Sequence, residues 1–255
     1  MSLAPSMTEA VVALGGLELL VGRSAHCDFP ADVARLPSVG GYADPDMERI
    51  LALAPSLVVG ERGPAGPALE ERLRARGIAT FFPPTGSVAE IESMLVELGA
   101  RLGRVEAGRR VRATLERRLA RISEWGRART SVRAVVVFDA RPLYVAGPGG
   151  FPDELVRFAG ATNAVTSGGA YPTLDLERML ALDPDVIVDA SAMDAGSSAL
   201  ASLVGWSRLR AVREGRVRML EGSAALRPGP RLADGVRALA KALHGEAPPP
   251  DPEES

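Results

Sequence analysis

Two fourteen-residue stretches of the chain carry the same order of apolar and polar positions. Residues 46–59 read DMERILALAPSLVV and residues 175–188 read DLERMLALDPDVIV, eight identities in fourteen at an offset of 129. A Tyr stands six residues before the Glu in both, Tyr42 before Glu48 and Tyr171 before Glu177. In the first stretch Met47, Ile50, Leu51 and Ala54 fall at i, i+3, i+4 and i+7, which predicts a helix with one core stripe, ended by Pro55 and followed by a strand at 57–59. Leu176, Met179 and Leu180 repeat the stripe, and Val186-Ile187-Val188 the strand. Further apolar runs predict strands at Ala79–Phe82, Val132–Asp139 and Val217–Leu220, with helical periodicity around 66–76, 87–102, 152–159, 199–213 and 231–244. Runs that do not alternate suit parallel sheets covered on both faces, and strand–helix alternation in both halves predicts an α/β protein of two lobes on one plan.

Between the halves, residues 104–126 form a long, charged, Pro-free helical pattern with Val105, Val111, Leu115, Leu119 and Ile122 at helical spacing. A flexible hinge would carry Gly, Ser or Pro instead, so a stiff connector that lets the lobes move little is expected. The expected organisation is an N-terminal lobe over 1–103, a connecting helix over 104–127, a C-terminal lobe over 128–245, and a disordered Pro-rich acidic tail over 246–255.

Composition narrows the chemistry. With 30 basic and 32 acidic side chains in 255 residues, nothing here neutralises a polyanion, so no nucleic-acid partner is expected. One Cys, Cys27, and two His, His26 and His244, exclude an internal disulfide, a Cys-rich zinc site and a Cys-ligated iron–sulfur cluster. Lys241, the one Lys, sits in RALAKALHG rather than in GxxxxGKS/T, which excludes a phosphate-loop NTPase. Gly147-Pro148-Gly149-Gly150 lacks the GxGxxG spacing of a dinucleotide or sugar-nucleotide enzyme, and two His do not make a Ser/His/Asp triad. No enzyme is expected. His26-Cys27-Asp28 are adjacent and cannot all reach one ion without a sharp turn, so no metal site is expected and Cys27 reads as a small buried side chain. MSLAPSMTEAVVALGG has no basic segment before an apolar one, and no run reaches ~18 apolar residues, so neither a leader nor a membrane span is legible.

The segments SLAPSMTEAVVALG, VGRSAHCDFP, LPSVGGYADPDMERILALAPSLVV, GWSRLRAVREGRV and RPGPRLADGVRALAKAL together resemble the helical-backbone (class III) substrate-binding proteins of ABC importers. These capture cobalamin, ferric siderophores and heme; CDFP, VGG-Tyr and RPGPR are most similar to the cobalamin branch. The resemblance reaches from the first residues to about residue 245. It implies two Rossmann-like lobes with mainly parallel sheets joined by one long helix, the ligand held in a cleft between the lobes, and no cofactor of the protein's own. The ligand it implies is a metal-bearing macrocycle, cobalamin or a related corrinoid. A ferric siderophore, heme, or a cytosolic corrinoid-binding role stand as alternatives. It further implies a monomer that docks on a dimeric permease through one Glu per lobe, here Glu48 and Glu177, at matched places in the first turn of the repeated helix. Bidentate pairing with permease Arg would set the register.

Open α/β sheets bind ligands at the carboxyl ends of their strands. The ligand-binding candidates are therefore His26, Asp28, Phe29, Tyr42, Glu61 and Arg62 from the first lobe, and Tyr144, Phe151, Tyr171, Arg227 and Arg231 from the second. Aromatic faces with a polar tip suit a large macrocycle edged with amides. Two departures from the family pattern stand out. The loop before RPGPR has Ser223 where the cobalamin branch often has an acidic residue, and Glu221 takes that place only if the loop shifts. Relatives also carry a leader and a few strand residues before SLAPS; the envelope location is thus implied by the resemblance rather than read from this chain.

Overall fold

The computed structural model describes residues 1–41, 44–62, 66–191, 198–222, 224 and 227–251. The chain divides into two compact units, Met1–Leu115 with Arg227–Pro230, and Glu116–Leu226 with Arg231–Ser255.

The first unit contains α1 (Pro5–Ala13), α2 (Met47–Ala52), β1 (Leu57–Val59), α3 (Gly66–Arg74), β2 (Ala79–Phe81), α4 (Val88–Arg101) and the opening turns of α5 (Val105–Arg127). β1 and β2 pair in parallel, and the parallel bridges Ser2↔Val59, Ser2↔Arg23 and Arg23↔Ser38 carry the order onward. The backbone leaves the carboxyl end of each of these short extended pieces in turn, into α1, into the 25–30 loop and into Gly60-Glu61-Arg62. α1 has no counterpart among the predicted helices. Ser6 through Val11 are all buried, so it lacks the polar face that makes a helix legible.

The second unit contains β3 (Arg133–Ala140), β4 (Leu143–Val145), α6 (Phe151–Phe158), β5 (Thr162–Asn163), β6 (Thr173–Leu174), α7 (Leu176–Leu182), β7 (Val186–Asp189), α8 (Arg210–Arg213), β8 (Val217–Met219) and α9 (Leu232–His244). Its sheet runs β6-β4-β3-β7-β8, with β5 also on β3. The pairs of β3 with β7, β7 with β8 and β3 with β5 are parallel, while β4 and β6 are antiparallel. Val135 and Ile187 face one core cluster, and Val136 and Val188 are buried on the opposite face, where α9 packs on β7 and β8. Burial on both faces explains their unbroken apolar runs.

The repeat folds alike in both units. Asp46 caps α2 by accepting from the Glu48 and Arg49 amides at 3.0 and 3.1 Å, and Asp175 caps α7 by accepting from the Arg178 amide at 2.7 Å. Each cap contributes about 1 kcal/mol, and each leaves its Glu exposed in the first turn. The stripe predicted for the first copy is corrected. α2 stops at Ala52 because Pro55 disfavours helix at the preceding residue, so Leu51 stays 41% exposed and Ala54 turns to φ +43°, while Ile50 is buried with Leu53 packed beside it. The predicted helix over 199–213 is likewise broken, into 3-10 turns at Leu200–Ser202 and Trp206–Arg208 and the short α8, because Gly205 takes φ +83° between them. Within α5, Leu115, Leu119 and Ile122 are buried as expected, but Val105 is 41% exposed.

The expectation of a disordered tail over 246–255 is corrected for its described part: the acidic, Pro-rich stretch after α9 packs against the second unit as far as Asp251, because Arg side chains there meet its acids. Arg129 donates to Glu246 at 2.7 and 2.9 Å, and Arg237 donates to the Pro248 carbonyl at 2.9 Å. Among the described residues, no helix is long and apolar enough to cross a membrane.

Candidate functional site

Each unit brings several of the candidate residues together. In the first unit the cluster is polar. Arg227 donates from Nη1 to Glu9 Oε1 at 2.7 Å and to Asp28 Oδ1 at 2.7 Å, and from Nη2 to Asp28 Oδ2 at 3.0 Å. The hydrogen bonds to Asp28 above all, against the opposing effect of burial, hold this guanidinium above its ordinary pKa. Its one positive charge is matched by two carboxylates, one of them the buried Glu9. A charge compensated in this way holds the 26–29 loop to α1 and offers little to an incoming anion. Arg227 was expected to face a ligand; it is engaged within its own unit, with an acidic residue 218 positions away that no local pattern reveals.

Glu61 lies beside this cluster and accepts a hydrogen bond from Ser6 Oγ. Burial pushes its carboxyl above the ordinary 4.5, with the Ser6 bond and the Arg227 charge pulling the other way. A carboxyl with a raised folded pKa favours the fold in its neutral form, so its contribution is present below pH 4.5 and is lost as pH rises through the folded value. Glu61→Gln keeps the acceptor and drops the charge. It is expected to raise Tm at pH 7 and to match the wild type in acid; a loss of stability at pH 7 in thermal melts would contradict this.

His26, Cys27 and Asp28 alternate in direction. His26 and Asp28 are exposed, while Cys27 is buried against the Thr8 and Ser24 hydroxyls at 3.0 and 3.2 Å. Phe29 is 43% exposed and Arg62 is exposed. Tyr42 lies outside the described residues. Among the described residues, no group of three or more His, Cys, Asp or Glu side chains is arranged to hold a metal ion.

In the second unit the cluster is aromatic. The rings of Tyr144, on β4, and Tyr171, just before β6, stack with centroids 6.0 Å apart and planes 12° apart. Phe138, on β3, tilts against both, 6.4 Å from Tyr144 and 5.8 Å from Tyr171. Tyr144 and Tyr171 remain 37% and 44% exposed, a large aromatic surface to leave facing solvent. Phe138 was not among the sequence candidates, because inside the run AVVVFDA it reads as one more strand residue.

The Gly147–Gly150 loop explains how the two Tyr meet. A Cβ on Gly147 would lie 2.0 Å from the Gly169 carbonyl oxygen and 2.5 Å from Pro172 Cδ, and one on Gly150 would lie 2.6 Å from Ala170 Cβ. The Gly147 amide donates to the Ala170 carbonyl at 2.9 Å, and the Val145 amide to the Pro172 carbonyl at 3.1 Å. These glycines let the 168–172 stretch lie flat on the loop, which sets Tyr171 beside Tyr144. Gly147→Ala is expected to lower stability by about 1–3 kcal/mol through overpacking and to weaken ligand binding by moving Tyr171. Unchanged melting and unchanged affinity would contradict it.

Three candidates lie elsewhere. Phe151 opens α6 and is 5% exposed, so it packs inside the unit instead of facing a ligand; the apolar side of α6 claims it. Arg231 is half-buried at the N-cap of α9. Glu221 accepts from Lys241 Nζ at 2.8 and 3.0 Å and is thereby occupied, and Ser223 is outside the described residues.

Exposed aromatic faces and polar loops on an α/β frame are the surfaces that ligand-binding proteins present. The chain belongs to the periplasmic binding protein family, whose model matches residues 1–224, and is a substrate-binding protein of the ABC importer class. It is 26% identical over 239 residues to the vitamin B12-binding protein of Vibrio parahaemolyticus, covering 92% of this chain and 85% of that one. It is 26% identical over 250 residues to an uncharacterized ABC transporter substrate-binding lipoprotein of Bacillus subtilis, covering 95% and 79%. Among solved structures, a periplasmic heme-binding protein from Pseudomonas aeruginosa aligns with a TM-score of 0.83 at 31% identity, covering 98% of this chain and 94% of that one. The family is one of binding proteins, not of enzymes.

Proposed function

We propose that the protein captures a corrinoid and delivers it to an ABC permease. The observation that carries this reading is the stacked, exposed pair Tyr144 and Tyr171 backed by Phe138. Aromatic faces with hydroxyl tips suit a macrocycle that is apolar on its face and amide-bearing at its edge. Charge points the same way. Arg227 is matched by Glu9 and Asp28, with Glu61 beside them, so this guanidinium offers little to the carboxylates of heme or the net negative charge of many ferric siderophores. The vitamin B12-binding relative supports the same class.

Heme is the second reading. The Pseudomonas aeruginosa structure favours it, and a Tyr hydroxyl is among the side chains that ligate heme iron. Titration with cyanocobalamin, cobinamide, heme and a hydroxamate ferric siderophore separates the readings. Tight one-to-one binding of the corrinoids supports the first, a Soret shift with heme supports the second, and no binding to any of the four overturns the ligand class.

In this reading the chain acts as a monomer in the cell envelope, a location that the family and its lipoprotein relative support. Glu48 and Glu177, exposed behind matched Asp caps, pair with Arg residues of a dimeric permease. His26, Asp28, Phe29, Tyr42, Glu61 and Arg231 complete the ligand surroundings. The two lobes of this reading are residues 1–103 and 128–245.

A further inference from the structure

The seam between α5 and α9 in the second unit holds a cavity of about 330 Å³, lined by Arg118 and Arg121 of α5, Arg129 just past its end and Arg237 of α9, with Ile122 and Trp125 as its apolar wall. The Arg129 guanidinium lies 3.4 Å from the centre of the Trp125 ring, and His244 meets that ring edge-on at 5.5 Å. The helices themselves supply Glu124 on the lining and Asp234, which accepts from Arg118 at 2.5 Å.

The rest of the lining is Pro248, Pro249 and Asp251 from the stretch after α9. Asp251 accepts from Arg118 Nε and, at 3.3 Å, from Arg121; the Pro248 carbonyl accepts from Arg237; Glu246 accepts from Arg129. The segment is thus held at three points, two acids and one carbonyl, by four Arg, with Pro248 itself buried. Prolines pre-set an extended backbone, which lowers the entropy lost on docking, and aromatic-lined grooves and Arg clusters are the recurring receptors for proline-rich and acidic motifs. We infer that the α5–α9 groove is a recognition site for an acidic, proline-rich peptide, occupied in this protein by its own residues 246–251. The site stands apart from the ligand proposal and does not depend on it.

The hold is exchangeable. The Glu246–Arg129 pair is open to solvent, with Glu246 62% exposed, and is screened by salt, while Asp251, at 18%, is the more sheltered anchor against Arg118 and Arg121. The tether from Gly245 is short, and an effective concentration on the order of mM or more keeps even a weak peptide in place.

The test uses the full chain and acrylamide quenching of tryptophan. The two Trp differ in access: Trp206 is 4% exposed in the core, so the quenchable emission reports Trp125 beneath the segment. Glu246→Arg/Asp251→Arg, which repels the segment from the Arg side chains, is expected to raise the quenching constant about twofold, and Asp251→Asn to raise it less; circular dichroism confirms that both remain folded. A blocked peptide GEAPPPDP added to the double variant is expected to restore protection, saturating at a few mM or below, the range that a cis effective concentration of that order requires. GRAPPPRP is expected to do nothing, and the wild type to ignore both. Equal quenching of wild type and double variant, or no protection by GEAPPPDP at several mM, would overturn the inference.

Discussion

Tyr144→Ala is expected to weaken cyanocobalamin binding roughly 30-fold, about 2 kcal/mol, and Tyr171→Ala by a similar factor, the size of a truncated aromatic anchor at a binding surface. The reason is geometric. The two rings lie 6.0 Å apart and nearly parallel, so each offers the ligand its face and steadies the other. Because they touch, removing one loosens its neighbour, and the double variant should fall short of the product of the singles. Phe separates the two ligand readings. Tyr144→Phe and Tyr171→Phe keep the ring and should cost about threefold or less if the face is what binds, since only a solvent-accessible hydroxyl contact is lost. If instead a hydroxyl ligates heme iron, one of the Phe variants should lose heme as completely as its Ala counterpart and change the Soret spectrum. Calorimetry with the corrinoid and absorbance titration with heme, run on the same four variants, measure both.

Glu48→Ala/Glu177→Ala is expected to leave ligand affinity within about twofold of the wild type and to abolish stimulation of the permease ATPase. Truncating one partner of a desolvated, hydrogen-bonded ion pair costs about 2–5 kcal/mol, so losing two weakens docking by roughly a thousandfold or more. Each Glu follows a capping Asp in a matched helix and is exposed, and neither is needed by the fold beyond a few tenths of a kcal/mol of helix-dipole complementarity. Melting temperature should therefore stay close to that of the wild type. The caps behave differently: Asp46→Ala and Asp175→Ala unfasten the helices that carry the Glu side chains, and each should lower stability by about 1 kcal/mol. A fall in ligand affinity in the double Glu variant, with stimulation intact, would refute the docking role.

Much of the framework was legible in the amino-acid order. The two DxER helices, the strands at 57–59 and 186–189 and the long helix at 105–127 all announced themselves, since periodicity and caps are local signals. What remained hidden depends on long-range partners. α1 is buried on every side and so shows no amphipathic stripe. The antiparallel pair β4 and β6 is only two or three residues per strand, too short for a pattern, and owes its place to the Gly147 contact with Gly169 and Pro172. Of the candidate site, Tyr144 and Tyr171 were found by residue type and loop position, yet Phe138 was lost inside an apolar strand and Phe151 proved to be packing. Arg227 was singled out, but its saturation by Glu9 and Asp28 joins residues from opposite ends of the chain. That pairing removes one cation that an anionic ligand would have used, which fits the corrinoid that the sequence already suggested.

The most direct measurement mixes the protein with equal amounts of cyanocobalamin and heme, passes it over a desalting column and reads the absorption of the protein fraction. One corrin chromophore per chain and no Soret band are expected in that fraction. A protein fraction that carries heme alone, or no chromophore at all, would contradict the corrinoid reading.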